Sequence, residues 1–546
     1  MSRVERHQEE ILPTTFTSYE KYCDELNNFL SQYEYLFVGN TYDESHELLS
    51  VTKSVHWMIT DHYRNLPTEW IKEYYEPLEH YLKTHPEHSK EVYCYMMNIT
   101  TDIMPSVVLP PKVDKDIVNY LASNYPLPVS LQQFIDTCRK LTPTFKIAEM
   151  DRIQDPTTNS WFVVDLKGNS QPIDLCLMKQ KKKYEIKLLG NEIIETAKKQ
   201  GISTVVDVGC GKGYLTEYVV LNSNLRVVGI EGNAEFTSKM EVRVNTIEQK
   251  KAKGKELSRA EGYTAFLTAQ TTPEEFKSIA KLKDEKVMLT GLHPCGDLTP
   301  TLMRFFKAIP QIKTVCMVGC CYHKLTENPK SLSRCFDQNQ DEIVKEADKY
   351  GFPMSQYLLQ GEHKIKFHLS QSYVTSNPHP QSKTREEWLY AMKMQSYRAA
   401  LELFIHNHLP NYIEVHYTGA IREQYSKSFG AYLVRALQNI RRHAYTFTFK
   451  NPSYKEVLIQ WIDEFLKTPN AIQQCDEWYK SIGACDEVLF QCIPFILLQA
   501  RLSQILEGFV WADRVLFMKE FCSSVSCRRL FHPFISPRGI LLIAHK

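Results

Sequence analysis

Apolar residues recur at three- and four-residue steps from about residue 14 to 145. Tyr22, Leu26, Phe29, Tyr33 and Leu36 form one such stripe, which predicts helices with a single buried face. Thr17 and Glu20 suit a capping box at the start of the first helix, the hydroxyl taking one unpaired amide while the carboxylate reaches back. Pro105, Pro110 and Pro111 break the helical run, and a further helix is expected to about Leu141. At residue 183 the spacing changes. KYEIKLLGNEIIETAKKQG reads as an amphipathic helix ending at Gly201, and the short runs TVVDVG, RVVGIE, YTAFLTA, VMLTGL and VCMVG read as strands. Between the first three lie the helical stretches YLTEYVVLN and EFTSKMEVRVNTIEQ. Strands alternating with helices predict a parallel sheet with helices on both faces, since parallel neighbours need a crossover. This is a doubly wound α/β domain, a class that binds ligands at the carboxyl ends of its strands.

Beyond the polar loop SYVTSNPHPQSK the pattern is helical again, with Thr384 and Glu387 placed as a second capping box. The last residues, RRLFHPFISPRGILLIAHK, read as two strands around Ser536, Pro537, Arg538 and Gly539. Such a hairpin has little core of its own and must join an existing sheet. The expected organisation is an α-helical N-terminal domain (1–150), the first part of the α/β core (180–350), an α-helical insertion (355–520) and a final β-hairpin (524–546) that completes the core.

Composition narrows the class without naming it. A net charge of +1 argues against a protein that coats nucleic acid by bulk charge, though local basic runs remain at 179–187 (KQKKKYEIK), 250–255 (KKAKGK) and Arg441 to His443. Such runs are usually solvated faces; flanking a ligand mouth, they would track a phosphate backbone. The 15 cysteines follow no regular spacing and MSRVERHQEE has no apolar signal core, so reduced thiols in cytoplasm or nucleus are expected. The most apolar stretch, 488–500, is interrupted by Gln491, Pro494 and Gln499 and falls short of the roughly 20 residues a bilayer needs, so no membrane segment is expected.

The chemistry gathers at VDVGCGKGYL. Asp207, Gly209, Gly211 and Gly213 place a loop without side chains between a strand and a helix, where unpaired amides and the positive dipole end meet a carboxylate or phosphate. A dinucleotide site wants G-x-G-x-x-G, but here the third glycine comes one residue early and position 214 is Tyr. Glu231 closes the second strand, 18 residues past Gly213, where an acid can accept both hydroxyls of a ribose. A nucleoside with an amino-acid tail fits this set, which makes S-adenosylmethionine the expected cofactor and Asp207, Gly209, Gly211, Gly213, Tyr214, Glu231 and Gly232 its expected contacts.

Two further segments carry a resemblance. TGLHPCGDLTP (290–300) follows the fourth strand and VGCCYHKLTE (318–327) the fifth. With DVGCGKGYL and FISPRGILLIA they resemble the methyltransferase-like protein 25 family, including relatives labelled ribosomal RNA adenine dimethylase domain-containing. More distantly, the turn after strand four and the double cysteine after strand five resemble the eukaryotic tRNA 2′-O-methyltransferases of the Trm-thirteen type. The resemblance implies a class I (Rossmann-like) methyltransferase fold. Enzymes that methylate adenine amines carry an N-L-P-[YF]-like sequence after strand four; here Gly291, Leu292, His293, Pro294 and Cys295 stand there, without the Asn or the aromatic.

The catalytic candidates lie in these two segments. His323 is the first candidate for general base and His293 the second, with Tyr322 as a ring to stack on substrate or face the sulfonium, and Asp297 as the nearby acid. For each histidine the alternative is a hydrogen bond that shapes its own loop. His293, Cys295, Cys320, Cys321 and His323 also suggest zinc, but adjacent cysteines should point apart at a strand end, so no metal is expected. The expected function is S-adenosylmethionine-dependent methyl transfer to RNA, tRNA or rRNA. A protein or small-molecule acceptor and a non-catalytic cofactor-binding scaffold are the alternatives.

Overall fold

The computed structural model describes residues 11–36, 66–88, 91–92, 95–96, 114–143, 152–154, 161–163, 180–251, 260–327, 350–360, 363–366, helical turns between 390 and 409, and 421–444, 453–481, 486–531, 536 and 538–546. Pro105, Pro110, Pro111 and the proposed caps Thr384 and Glu387 lie outside the described residues.

At the centre is a seven-stranded sheet. Its strands are β1 (Thr204–Val208), β2 (Arg226–Glu231), β3 (Ala260–Thr264), β4 (Val287–Cys295), β5 (Ile312–Cys320), β6 (Ser524–Arg529) and β7 (Ile540–His545), in the order β3-β2-β1-β4-β5-β7-β6. The first five pair in parallel, and β7 runs antiparallel to both its neighbours, β5 and β6. All five residues of β1 are buried, as expected for a central parallel strand covered on both faces. The order reverses between β1 and β4, so the carboxyl ends of these strands open a crevice at the switch point.

Alternation along the strands feeds two cores. On one face Val205, Met288, Cys316 and Leu541 pack with Ile186, Leu189 and Ile193 of α3 (Gln180–Gln200) and with Leu215 and Val219 of α4 (Tyr214–Asn222); α5 (Ala234–Lys251) follows β2. On the other, Val206, Leu289, Val315 and Leu542 meet α6 (Leu298–Ala308) and the 34-residue α7 (Asp486–Lys519). The N-terminal helices α1 (Tyr19–Gln32) and α2 (Val129–Leu141) join this same core through Tyr22, Leu26 and Phe134. A third core, around Tyr397, Phe429, Leu433 and Tyr479, lies within 394–479. The apolar stretch 488–500 opens α7, and among the described residues no helix is long and apolar enough to cross a membrane.

Several local expectations shift. The first helix is capped by Ser18, not Thr17: Ser18 holds extended backbone and its Oγ accepts from Lys21 N at 3.3 Å. The single helix expected before Leu141 is two, Lys115–Asn124 and α2, because Pro128 fixes an extended residue at the start of the second. The third strand is 260–264, so Phe266 falls in the turn after it. The first strand of the terminal hairpin begins at Ser524 and ends at Arg529, opposite Ile540. Ser524, Ser526 and Arg528 are exposed or only partly covered at the sheet edge while Arg529 is buried, so apolar and polar positions do not alternate in the sequence as they do in burial.

Candidate active site

β1 delivers the chain into the glycine loop. Gly209, Gly211 and Gly213 all have positive φ (72°, 56° and 74°). Gly213 caps α4 without a side chain, and a Cβ there would lie 2.4 Å from Met240 Cγ, so its place on the helix end admits glycine alone. Asp207, at 1% exposed, accepts from Thr216 Oγ1 at 2.9 Å. Burial pushes its carboxyl up to about 6, against the pull of that hydrogen bond and of Lys182. Glu231 ends β2 with both oxygens in use, one accepting from Gly211 N at 2.9 Å and the other from Asn233 N at 3.0 Å. This carboxylate ties the glycine loop to the end of the second strand while keeping lone pairs for further donors. Tyr214 opens α4 with the Arg243 guanidinium 4.0 Å over its ring. Six of the seven cofactor residues expected from the sequence therefore sit on this loop, the first turn of α4 or the end of β2, and the seventh, Asp207, lies buried behind the loop.

One residue here escaped the sequence reading. Phe266 is 81% exposed, and a Cβ on Gly232 would come within 2.9 Å of its Cδ2. A bare aromatic ring thus lies over Gly232, next to Glu231. The usable signal was its position two residues past a strand end, which the misplaced third strand concealed.

The other side of the crevice is built by the ends of β4 and β5. Their register slips between Leu292 and Cys295: Leu292 pairs with Val318 and Cys295 with Cys320, leaving His293 and Pro294 in a bulge. His293 takes φ 65°, a left-handed conformation uncommon outside glycine. Its Nε2 lies 2.9 Å from Oε1 of Glu185, a nearly buried carboxylate on α3 that also accepts from Ser536 Oγ at 2.7 Å. Burial works against ionisation of Glu185, but the His293 hydrogen bond and charge prevail and hold it below the usual range. Neither Glu185 nor Ser536 was legible as a site residue, since they stand 108 and 351 positions from their partners, His293 and Glu185.

Two expected roles change. Tyr322 is 1% exposed; its hydroxyl donates to Glu507 Oε1 at 2.9 Å and accepts from Trp511 Nε1 at 2.7 Å, both on α7. The ring is a peg beneath the turn and presents no face to a ligand. Asp297, at the start of α6, accepts from Thr326 N at 2.9 Å and so ties the turn after β4 to the one after β5. His323 lies in the short 3-10 turn Tyr322–Lys324 directly after β5, on the same rim as His293.

The expectation that Cys320 and Cys321 diverge is also corrected. Cys321 adopts φ 54° and ψ 50°, so the strand's alternation stops at Cys320 and both thiols turn to one side, 3.5 Å apart. Cys295 lies within 3.3 Å of Cys320 and 3.4 Å of Cys321. Hydrogen bonding of the Cys320 thiol to Cys295 and Cys321, then burial, pushes it far above its ordinary range.

A family model described as a methyltransferase domain matches residues 181–328, the span from α3 through the turn after β5. The chain is 41% identical over 96 residues to probable methyltransferase-like protein 25 of Homo sapiens, covering 17% of this chain and 14% of the relative. It is 35% identical over 126 residues to the Mus musculus protein of the same name, covering 23% and 18%. The chain thus spans less than a fifth of the length of either curated relative. A solved S-adenosylmethionine-dependent methyltransferase from Clostridium acetobutylicum is similar at 18% identity over 26% of this chain and 52% of that one, with TM-score 0.18. Residues 181–328 are a methyltransferase domain of class I architecture, with S-adenosylmethionine as cofactor, and the resemblance to methyltransferase-like protein 25 holds over part of the chain.

Proposed function

We propose that the chain is an active S-adenosylmethionine-dependent methyltransferase whose acceptor is RNA. The observation that carries the catalytic reading is the Glu231 clamp: one carboxylate fixes the glycine loop at Gly211 and stands ready for ribose hydroxyls at the end of β2. The free amides at the start of α4 suit the cofactor's carboxylate, and Phe266 offers its adenine an uncovered face.

The cofactor supplies a methyl on a positive sulfur, so the protein's work is alignment and proton removal. His323, in the turn after β5, is assigned as general base. His293 is a positioning residue, because Glu185 holds its Nε2 and thereby fixes the bulge at the end of β4. Support for RNA comes from the basic run at 179–187. Its helical part opens α3, where Lys181 stands one turn before Glu185, 3.7 Å from its carboxylate, and Lys182 lies near Glu185 and Cys320, on the side a phosphate backbone would follow.

Two affinities test the cofactor contacts. Glu231→Ala is expected to weaken S-adenosylmethionine binding by roughly 1 to 3 kcal/mol, through loss of a charged acceptor and loosening of the loop it ties. Phe266→Ala is expected to cost about 1 to 2 kcal/mol by removing the stacking face. Calorimetry on folded variants reads both, and an unchanged affinity removes the residue concerned from the site. The acceptor is tested by incubating the protein with methyl-labelled cofactor and separated RNA and protein fractions from cells lacking it. Label in RNA, falling as salt rises, is the expected result; label confined to protein or small molecules overturns the RNA assignment.

A further inference from the structure

We infer that Cys295, Cys320 and Cys321 form a three-thiolate site for a zinc ion at the acceptor end of the crevice. Their sulfurs make a nearly equilateral triangle with sides of 3.3, 3.4 and 3.5 Å, and all could serve one ion. Zinc–sulfur bonds of about 2.3 Å in a tetrahedron require sulfurs about 3.8 Å apart, so each pair need open by only a few tenths of an ångström. A disulfide, at about 2.05 Å, would require a closure of more than 1 Å and would leave the third thiol over.

The backbone is shaped for this triangle. The bulge at His293 and Pro294 brings Cys295 opposite Cys320, and the left-handed conformation of Cys321 returns the next thiol to the same side. That conformation is unfavourable for a non-glycine residue, and such strain clusters where a ligand constrains the chain. All three ligands come from the ends of neighbouring paired strands.

Sulfur ligands select a soft or borderline ion over magnesium or calcium. Each thiol gives its proton to solvent as it ligates, leaving a Zn²⁺ thiolate site with net charge of one negative. Lys324 near Cys295 and Lys182 near Cys320 offset that charge. Cys320 is 7% exposed while Cys295 faces solvent and Cys321 is half-buried, so the ion has an inner wall and an open entry. Three protein ligands leave the fourth position for water or an incoming group, the arrangement of an open rather than a closed zinc site. The ion would pin together the turns that carry His293 and His323. This inference does not depend on the identity of the methyl acceptor.

The test uses the full chain, expressed with zinc and purified under reducing conditions without chelator. Mass spectrometry of metals should find about one zinc per chain, released in step with chemical modification of the thiols. Replacing zinc by cobalt should give sulfur-to-metal charge-transfer absorption, a readout that needs no variant. Cys295→Ser and Cys320→Ser should each weaken retention about tenfold or more, while Cys522→Ser should not. A reduced, folded wild-type chain that takes up no zinc on dialysis overturns the site. So does cobalt binding without charge-transfer bands, or zinc retained undiminished when all three cysteines are replaced by serine.

Discussion

A chain ending at residue 523 is expected to lose cooperative folding, although it keeps the glycine loop, Glu231 and both histidines. β7 is an interior strand, paired with β5 along Thr314 to Val318 and with all six residues of β6. Its Ile540, Leu541 and Leu542, with Phe531 from the preceding loop, are fully buried. They divide between the two cores: Ile540 and Leu542 face α6 and α7, Leu541 and Phe531 face α3 and α4. At about 1.5 to 3 kcal/mol each, these four side chains contribute roughly 6 to 12 kcal/mol, comparable to the whole stability of a domain. Their loss also leaves β5 as an unpaired edge, a template for aggregation. Thermal melting followed by circular dichroism, with limited proteolysis, decides the matter. A truncated chain that melts like the full one and binds cofactor would refute the role given to β7.

His323→Ala is expected to lower turnover about 10² to 10⁴-fold while leaving cofactor affinity within about twofold, the signature of a lost general base. The residue follows the carboxyl end of β5, across the rim from the glycine loop and remote from Glu231 along the sheet. Imidazole accepts a proton near neutrality, which a carboxylate at the same place would do only with a raised pKa. His293→Ala should behave differently. It leaves Glu185, 3% exposed, with Ser536 and a Lys181 contact of 3.7 Å, so the bulge loosens and melting temperature falls together with activity. Single-turnover kinetics beside thermal melts separate the two. Full activity in His323→Ala, or joint loss of folding and binding, would make His323 a structural residue and pass the assignment of base to His293.

The sheet and the cofactor side were legible because their signals are local. Five apolar runs separated by helical spacing defined the parallel strands, and Asp207, the three glycines and Glu231 fall within 25 residues of one another on a strand, a turn and a strand. What the sequence hid depends on distant contacts or on backbone departures from regular alternation. Tyr322 looked available for stacking, yet Glu507 and Trp511, 185 and 189 positions away, bury it. Cys320 and Cys321 were expected to diverge by strand alternation, a rule that ends where Cys321 turns left-handed. The strand-like composition of YTAFLTA puts Phe266 in a strand interior, but the ladder ends at Thr264, opposite Glu231. The residues of α7 fall within the stretch expected as an insertion, but those from Leu497 to Met518 that are apolar pack against the sheet and the N-terminal helices. Those partners lie hundreds of residues away, beyond the reach of periodicity.

The central claim is that the Gly211–Glu231 clamp is the cofactor site of a working methyltransferase domain. Calorimetric titration of S-adenosylmethionine into the full chain and into Glu231→Ala tests it most directly, with melts confirming that both are folded. The predicted result is one binding site in the wild type, displaced by S-adenosylhomocysteine and weakened roughly 5- to 150-fold by the substitution. A cooperatively folded wild-type chain that binds no cofactor, or a Glu231→Ala chain that binds it as tightly as wild type, would contradict the account.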